Sequence, residues 1–134
     1  MKTVLIVDDE PHVIRIMRLA LEKSGYRVDE AANGLQALEY LAKNSPDVMI
    51  SDIDMPRMNG RELCEEMVRI LPGRTFPVFV LTARAEHEHR EWSAAIDNLG
   101  FMEKPVSIRR LLSALDDYFA KQTLSGERKC QSVR

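Results

Sequence analysis

The chain is predicted to be an α/β protein: a five-stranded parallel sheet with helices on both faces, doubly wound as (βα)5. Three observations predict it. Short apolar runs recur along the chain, amphipathic stretches of helical spacing separate them, and turn or capping residues stand at most junctions. Strands covered on both faces read as continuous apolar runs, and parallel strands need crossover connections long enough for a helix.

The first run, VLIV at 4–7, ends in Asp8-Asp9-Glu10. Pro11 then opens a helix with Val13, Ile14, Met17, Ala20 and Leu21 on one face, and Gly25 ends it. YRVDEA at 26–31 reads as a second, weaker strand, and Asn33 caps a helix with apolar Ala37, Leu38, Leu41 and Ala42. After the break at Ser45-Pro46, DVMIS at 47–51 is the third strand. Gly60 to Leu71 is a helix using Leu63, Cys64, Met67 and Leu71, stopped by Pro72-Gly73. PVFVL at 77–81 is the fourth strand, 86–99 a helix of unusually polar composition, and GFME at 100–103 the fifth strand. A last helix runs from Ser107 to about Lys121 with Ile108, Leu111, Leu112, Leu115, Tyr118 and Phe119 on one face.

Composition limits the function. The 134 residues suit one domain, placed at 1–121, followed by a polar, basic tail or linker at 122–134. A formal net charge of −2 argues against direct nucleic-acid binding by this chain. No apolar run approaches the ~18 residues of a membrane span, and the apolar run in MKTVLIVDDE is too short for a signal peptide. Cys64 falls on an apolar helix face and Cys130 in the tail, so no disulfide framework is expected and the expected location is the cytoplasm.

In an open α/β sheet, ligands bind at the carboxyl ends of the strands. The sequence puts Asp8 and Asp9 at the first such end, Asp52 and Asp54 at the third, Thr82-Ala83 at the fourth and Lys104-Pro105 at the fifth. Each has a plainer reading: Asp8 or Asp9 as a helix cap, Asp52 and Asp54 as a polar turn before Pro56, Thr82 as a strand residue, Lys104 as a solvated cation. Yet all fall on one edge. Like-charged carboxylates repel unless a cation sits among them; several carboxylate oxygens suit Mg²⁺ or Mn²⁺, and a hydroxyl with an ammonium suits a phosphoryl group. His87 and His89 are two apart, share no helix face, and are not expected to bind metal. Trp92 reads equally as an exposed partner contact or a buried anchor.

These residues resemble a response-regulator receiver domain, the module shared with the single-domain chemotaxis regulator. The matching stretches are Asp8-Asp9 after VLIV, Asp52 in DVMISDIDMPRMNG, Thr82-Ala83 in VFVLTA and Lys104-Pro105 in FMEKP, and the resemblance spans residues 2 to about 121. It implies a flavodoxin-like fold and a two-component phosphorelay role. Asp52 would accept a phosphoryl group from a phosphohistidine of a histidine kinase or phosphotransfer protein. Asp9 and Asp52 would hold Mg²⁺ directly, Asp54 through its backbone carbonyl and Asp8 through water. Thr82 and Lys104 would contact the phosphoryl oxygens, with Thr82 and Phe101 as the switch pair, Phe101 lacking the hydroxyl of the family's tyrosine. The only chemistry expected is self-phosphorylation and self-dephosphorylation, in a monomer or weak phosphorylation-dependent dimer whose effector is not identifiable. The output face is expected on the fourth helix, fifth strand and fifth helix. Two finer expectations are a cis Lys104–Pro105 bond and hydrolysis slowed by Arg84, either paired with Asp54 over the site or in direct contact with the phosphoryl group.

Two other readings compete. Asp52-Ile53-Asp54 is also the DxD of aspartate-nucleophile phosphatases, although there it usually follows the first strand and here it follows the third. An interaction module without phosphoryl chemistry is the other; a complete acid set speaks against it.

Overall fold

The apolar run at the N-terminus forms β1 (Thr3–Val7), the strand from which the sheet is built outward. A computed structural model describes residues 1–55, 57–83, 89–104 and 107–128, in backbone only from 122 onward. β1 pairs in parallel with β2 (Arg27–Ala31) and with β3 (Val48–Asp52). β3 pairs with β4 (Val78–Thr82), and β4 with β5 (Leu99–Glu103), giving the order β2-β1-β3-β4-β5. The chain leaves β1 for one side and crosses back to β3 on the other, so the strand order reverses between β1 and β3. A crevice opens at such a point, beyond the carboxyl ends of the two strands.

The helices are α1 (Pro11–Lys23), α2 (Gly34–Lys43), α3 (Gly60–Ile70), α4 (Arg90–Ser93) and α5 (Ile108–Arg128). Alternate residues of β1 enter two cores. Leu5 and Val7 pack with Ala37, Leu41, Leu63 and Met67 on the α2–α3 face. Val4 and Ile6 pack with Met17, Leu21, Leu111 and Leu115 on the α1–α5 face. Burying one such large side chain stabilises by about 1.5–3 kcal/mol. An exposed pair such as Arg18–Glu22 or Arg61–Glu65 contributes at most ~1 kcal/mol. The two apolar layers therefore hold the fold, and the surface ion pairs do not.

Local signals place the helix ends. Pro11 occupies the first turn of α1, and Gly25 just beyond it takes φ +93°, a conformation glycine adopts without a Cβ clash. The Asn33 side chain accepts a hydrogen bond from the Gln36 N–H at the start of α2. At α3 the cap is reciprocal: Asn59 Oδ1 accepts from the Glu62 N–H, and the Asn59 N–H donates to Glu62 Oε1.

Two elements differ from expectation. Among the described residues of 86–99 only Arg90–Ser93 is helical; that stretch has too few apolar residues to bury a full helix face. At the other end α5 continues to Arg128, seven residues past Lys121, so 122–128 extends a formed helix instead of starting a turn-rich tail. Residues 129–134, with Cys130, lie outside the described residues. No helix among those described is long and apolar enough to cross a membrane.

Candidate functional site

Asp52 is the last residue of β3 and is 2% exposed. Beside it, past the end of β1, lies Asp8 at 1%, while Asp9 is exposed. Backbone hydrogen bonds carry the sheet past its formal ends here. Asp8 N–H donates to Ala31 O at 3.1 Å, Ile53 N–H to Leu81 O at 3.1 Å and Lys104 N–H to Thr82 O at 2.8 Å. The pairing brings the five elements' ends level, so positions far apart in sequence meet at one edge.

Ligand oxygens of Asp8, Asp9 and Asp52 all lie within 4.8 Å of one another, among the described residues. Lys104 Nζ stands 2.6 Å from Asp52 Oδ1. That contact is a close ion pair whose angles are not those of a hydrogen bond, and no aligned donor reaches the buried Oδ1 among the described residues. Burial pushes the Asp8 carboxyl above its ordinary value, and the negative charges of Asp52 and Asp9 add to the rise. The Glu10 N–H, 2.9 Å from Asp8 Oδ1, and the Lys104 charge oppose it. For Lys104, burial acts downward but is outweighed by the contact with Asp52 and by the fields of Asp52, Asp8 and Asp54, so its ammonium is held above its usual range. One ammonium thus faces more negative charge than it offsets.

A divalent cation fits this donor set. The cluster is all oxygen, carries excess negative charge, and includes a buried carboxylate oxygen lacking an aligned donor, the environment a hard cation relieves. Gly60 lets α3 reach the same place. A Cβ there would stand 2.5 Å from Asp52 O and 2.8 Å from Ile53 Cα, both backbone atoms, while Gly60 N–H donates to Ile53 O at 2.8 Å. Only glycine permits that approach.

Of the residues expected from the sequence, Asp8, Asp9, Asp52 and Lys104 come together. Asp54 is exposed and close enough for its charge to act on Lys104. Thr82, 1% exposed, ends β4 beside Glu103 of β5, next to Lys104. Phe101 is half-buried on β5. Trp92 is half-buried and, of its two readings, fits the anchor better than the exposed contact, packed with Phe101 against the α2–α3 core. Arg84 and Pro105 lie outside the described residues, and with them the Asp54–Arg84 pair and the Lys104–Pro105 bond.

His89, weighed in the sequence only as a metal ligand, has a different place in the structure. It is 7% exposed, and its Nε2 lies 3.0 Å from Thr82 Oγ1. The Trp92 indole N–H donates to its Nδ1 at 3.2 Å. The sequence signal that could have found it is a histidine three residues before the chain's one tryptophan, both following the strand that ends in Thr82.

The family model described as "Response regulator receiver domain" matches residues 4–116. Response regulator MprA of Mycobacterium ulcerans is 31% identical over 130 residues, 97% of this chain and 55% of that protein. A 14.6 kDa protein of Leptolyngbya boryana, from the sodA1 3′ region, is 33% identical over 86% of this chain and 88% of its own. The chain spans about half the length of the MprA relatives it matches. Among solved structures, the Vibrio cholerae chemotaxis response regulator CheY4 superposes with TM-score 0.79 at 32% identity, covering 87% of this chain and 98% of its own. Thermotoga maritima TrrA, solved with Mg(2+)-BeF, gives TM-score 0.75 at 29% identity over 87% and 98%.

Proposed function

The chain belongs to the response-regulator receiver family, the phosphoacceptor module of two-component signalling, and from that premise we propose that Asp52 is its phosphoacceptor. The observation that carries the assignment is the Asp52 carboxylate itself: buried at the end of β3, ion-paired to Lys104, with Asp8 and Asp9 within 4.8 Å.

An Asp52 carboxylate oxygen attacks the phosphorus of a phosphohistidine on a histidine kinase or phosphotransfer protein. The new O–P bond forms as the P–N bond breaks, and the imidazole nitrogen keeps the electron pair and takes a proton. An anion is attacking an anionic donor, so positioning and charge neutralisation are the protein's main contributions. Asp9 and Asp52 would hold Mg²⁺ directly, Asp54 through its carbonyl and Asp8 through water. When bound, the ion neutralises charge on the carboxylates and the transferring phosphoryl group. Lys104 supplies the fixed positive charge opposite, and Thr82 offers a hydroxyl to a phosphoryl oxygen. Phosphorylation then biases two states of the domain, with the face of α4, β5 and α5 as the output surface. Beside the site, a cleft lined by Asp8, Val13, Ile16, Met17, Lys104 and Ile108 adjoins exposed Ile16 and Leu19 on α1, an apolar surface suited to a docking donor protein.

The DxD phosphatase reading is not favoured. Asp54 is exposed, and among the described residues the charged partner of Asp52 is Lys104. Incubation with Mg²⁺ and acetyl phosphate, read by intact mass, is expected to add one phosphate to the wild-type chain and none to Asp52→Asn. A stable phosphate on Asp52→Asn refutes the assignment, and repeated turnover of a phosphate ester by the wild type would establish a phosphatase instead.

A further inference from the structure

We propose that His89 is a positioning residue for Thr82: it holds the threonine hydroxyl in the unphosphorylated protein and gives it up when a phosphoryl group on Asp52 engages that hydroxyl. The inference rests on the assignment of Asp52 as phosphoacceptor and names a regulator of the same site.

His89 sits in a strongly charged stretch, EHEHRE, yet is 7% exposed. Both ring nitrogens are engaged. An indole N–H only donates, so His89 Nδ1, 3.2 Å from Trp92 Nε1, is an acceptor and carries no proton. The ring proton is therefore on Nε2 and is donated to Thr82 Oγ1 at 3.0 Å. The same ring stacks on Phe101, centroids 5.1 Å apart and planes 14° from parallel. Trp92 meets Phe101 edge-on at 5.8 Å and His89 likewise at 5.8 Å. A single side chain thus joins the hydroxyl at the end of β4 to the aromatic pair on α4 and β5.

Phe101 has no hydroxyl, so it cannot hold Thr82 by a hydrogen bond; His89 does so and rests on the Phe101 ring. Movement of Thr82 Oγ1 towards Asp52 breaks the Nε2–Oγ1 bond and leaves the imidazole with an unpaired donor between Thr82 and Phe101. Shifting the ring to find a new partner disturbs the stack and the Trp92 bond together. Packed side chains change arrangement in discrete steps. Release of Thr82 is in this way converted into rearrangement around Trp92 and Phe101. One hydrogen bond present in only one of two states biases their ratio by about fivefold.

The test is a double-mutant cycle with beryllofluoride and Mg²⁺ as the phosphoryl mimic. His89→Phe keeps a flat ring over Phe101 and removes both hydrogen bonds. It is expected to bind beryllofluoride about fivefold more tightly than wild type, and His89→Gln, which keeps a donor, to return towards wild type. In a Thr82→Val background His89→Phe should change the affinity no further, because no hydroxyl remains to be held. A merely structural role for His89 would act equally in both backgrounds. The chain's one tryptophan gives a second reading that needs no phosphoryl group: Thr82→Val alone should shift the Trp92 indole N–H resonance. Equal or weaker binding by His89→Phe, an undiminished effect in the Thr82→Val background, or an unmoved Trp92 resonance overturns the proposal. Intact mass after acetyl phosphate on the same samples separates the two readings. Absence of uptake by wild type refutes Asp52 as acceptor, whereas uptake with unchanged beryllofluoride affinity in His89→Phe refutes the role of His89 alone.

Discussion

Asp8→Asn should make the metal-free protein more stable while making Mg²⁺ less able to stabilise it. Two unit charges 4.8 Å apart, the outer limit of the Asp8–Asp9–Asp52 oxygens, repel by about 3.5 kcal/mol at an effective dielectric of ~20. Asp8 faces two such neighbours. Asp9 is exposed, so solvent screens its share, and Lys104 attracts Asp8 as it does Asp52. What remains, with the burial that already favours a neutral Asp8, is a gain of about 1–2 kcal/mol on neutralisation. Asparagine is close in size, and its Oδ1 can still accept the Glu10 N–H that Asp8 Oδ1 accepts at 2.9 Å. The substitution therefore removes charge with little loss of packing or of that hydrogen bond.

The assay is urea or thermal unfolding in EDTA and again in excess Mg²⁺. In EDTA the midpoint of Asp8→Asn should rise by about 4–8 °C, the shift that 1–2 kcal/mol produces in a domain of this size. At ten times its Kd, Mg²⁺ adds about 1.4 kcal/mol to a chain that binds it only when folded. Wild type should show this increment and Asp8→Asn little of it, so the order of stabilities narrows or reverses between the two buffers. A less stable Asp8→Asn in EDTA would show that Asp8 is structurally satisfied as an anion. An equal Mg²⁺ increment in both proteins would show that Asp8 has no part in the cation site. Either result refutes the reasoning.

Two further predictions follow from the packing. Gly60→Ala places a Cβ 2.5 Å from Asp52 O, and the forced shift should destabilise by about 1–3 kcal/mol and slow acetyl-phosphate uptake by moving the end of β3; urea midpoints and mass-resolved time courses read both, and a wild-type rate would show that the helix start does not position Asp52. Tyr26 donates its hydroxyl to Asp116 on α5 at 3.0 Å, and burial with that bond pushes its phenol from 10.0 up to about 12. The folded state holds the proton more tightly than the unfolded state, so this stabilisation is complete below pH 10.0 and is lost as pH rises towards 12. Tyr26→Phe should therefore weaken the fold by about 1 kcal/mol at neutral pH and flatten the alkaline fall in that window; an unchanged alkaline limb in unfolding against pH would count against it.

The acid cluster was legible in the sequence because parallel strands impose it. Once VLIV, DVMIS and PVFVL are strands of one parallel sheet, whatever follows each lies on the same edge, and Asp8, Asp9, Asp52, Thr82 and Lys104 are brought together by register alone. Helix starts were legible for a similar reason, since a cap acts over three residues: Asn33 at α2 did what its position predicts. The reciprocal Asn59–Glu62 cap has the same spacing. Where the outcome depended on a path between elements, the reading failed. The polar stretch after β4 has the length of a helix over 86–99, yet among its described residues only Arg90–Ser93 forms one.

His89 shows why that failure matters for function. Judged as part of a helix, it could be compared only with residues three or four away, and His87 is neither. In the fold it precedes the helix, and its ring reaches Thr82 at the end of β4, seven positions back in the sequence. No periodicity encodes such a contact. It is set jointly by the shortness of α4, by Trp92 packing on the α2–α3 core and by the flat face of Phe101 beneath the imidazole. The acid cluster follows from sheet register, which any parallel sheet of this order shares. The group that holds Thr82 follows from side-chain packing around α4 and β5, and substitutions at His89, Trp92 and Phe101 should accordingly alter how the site is switched while leaving the acid cluster intact.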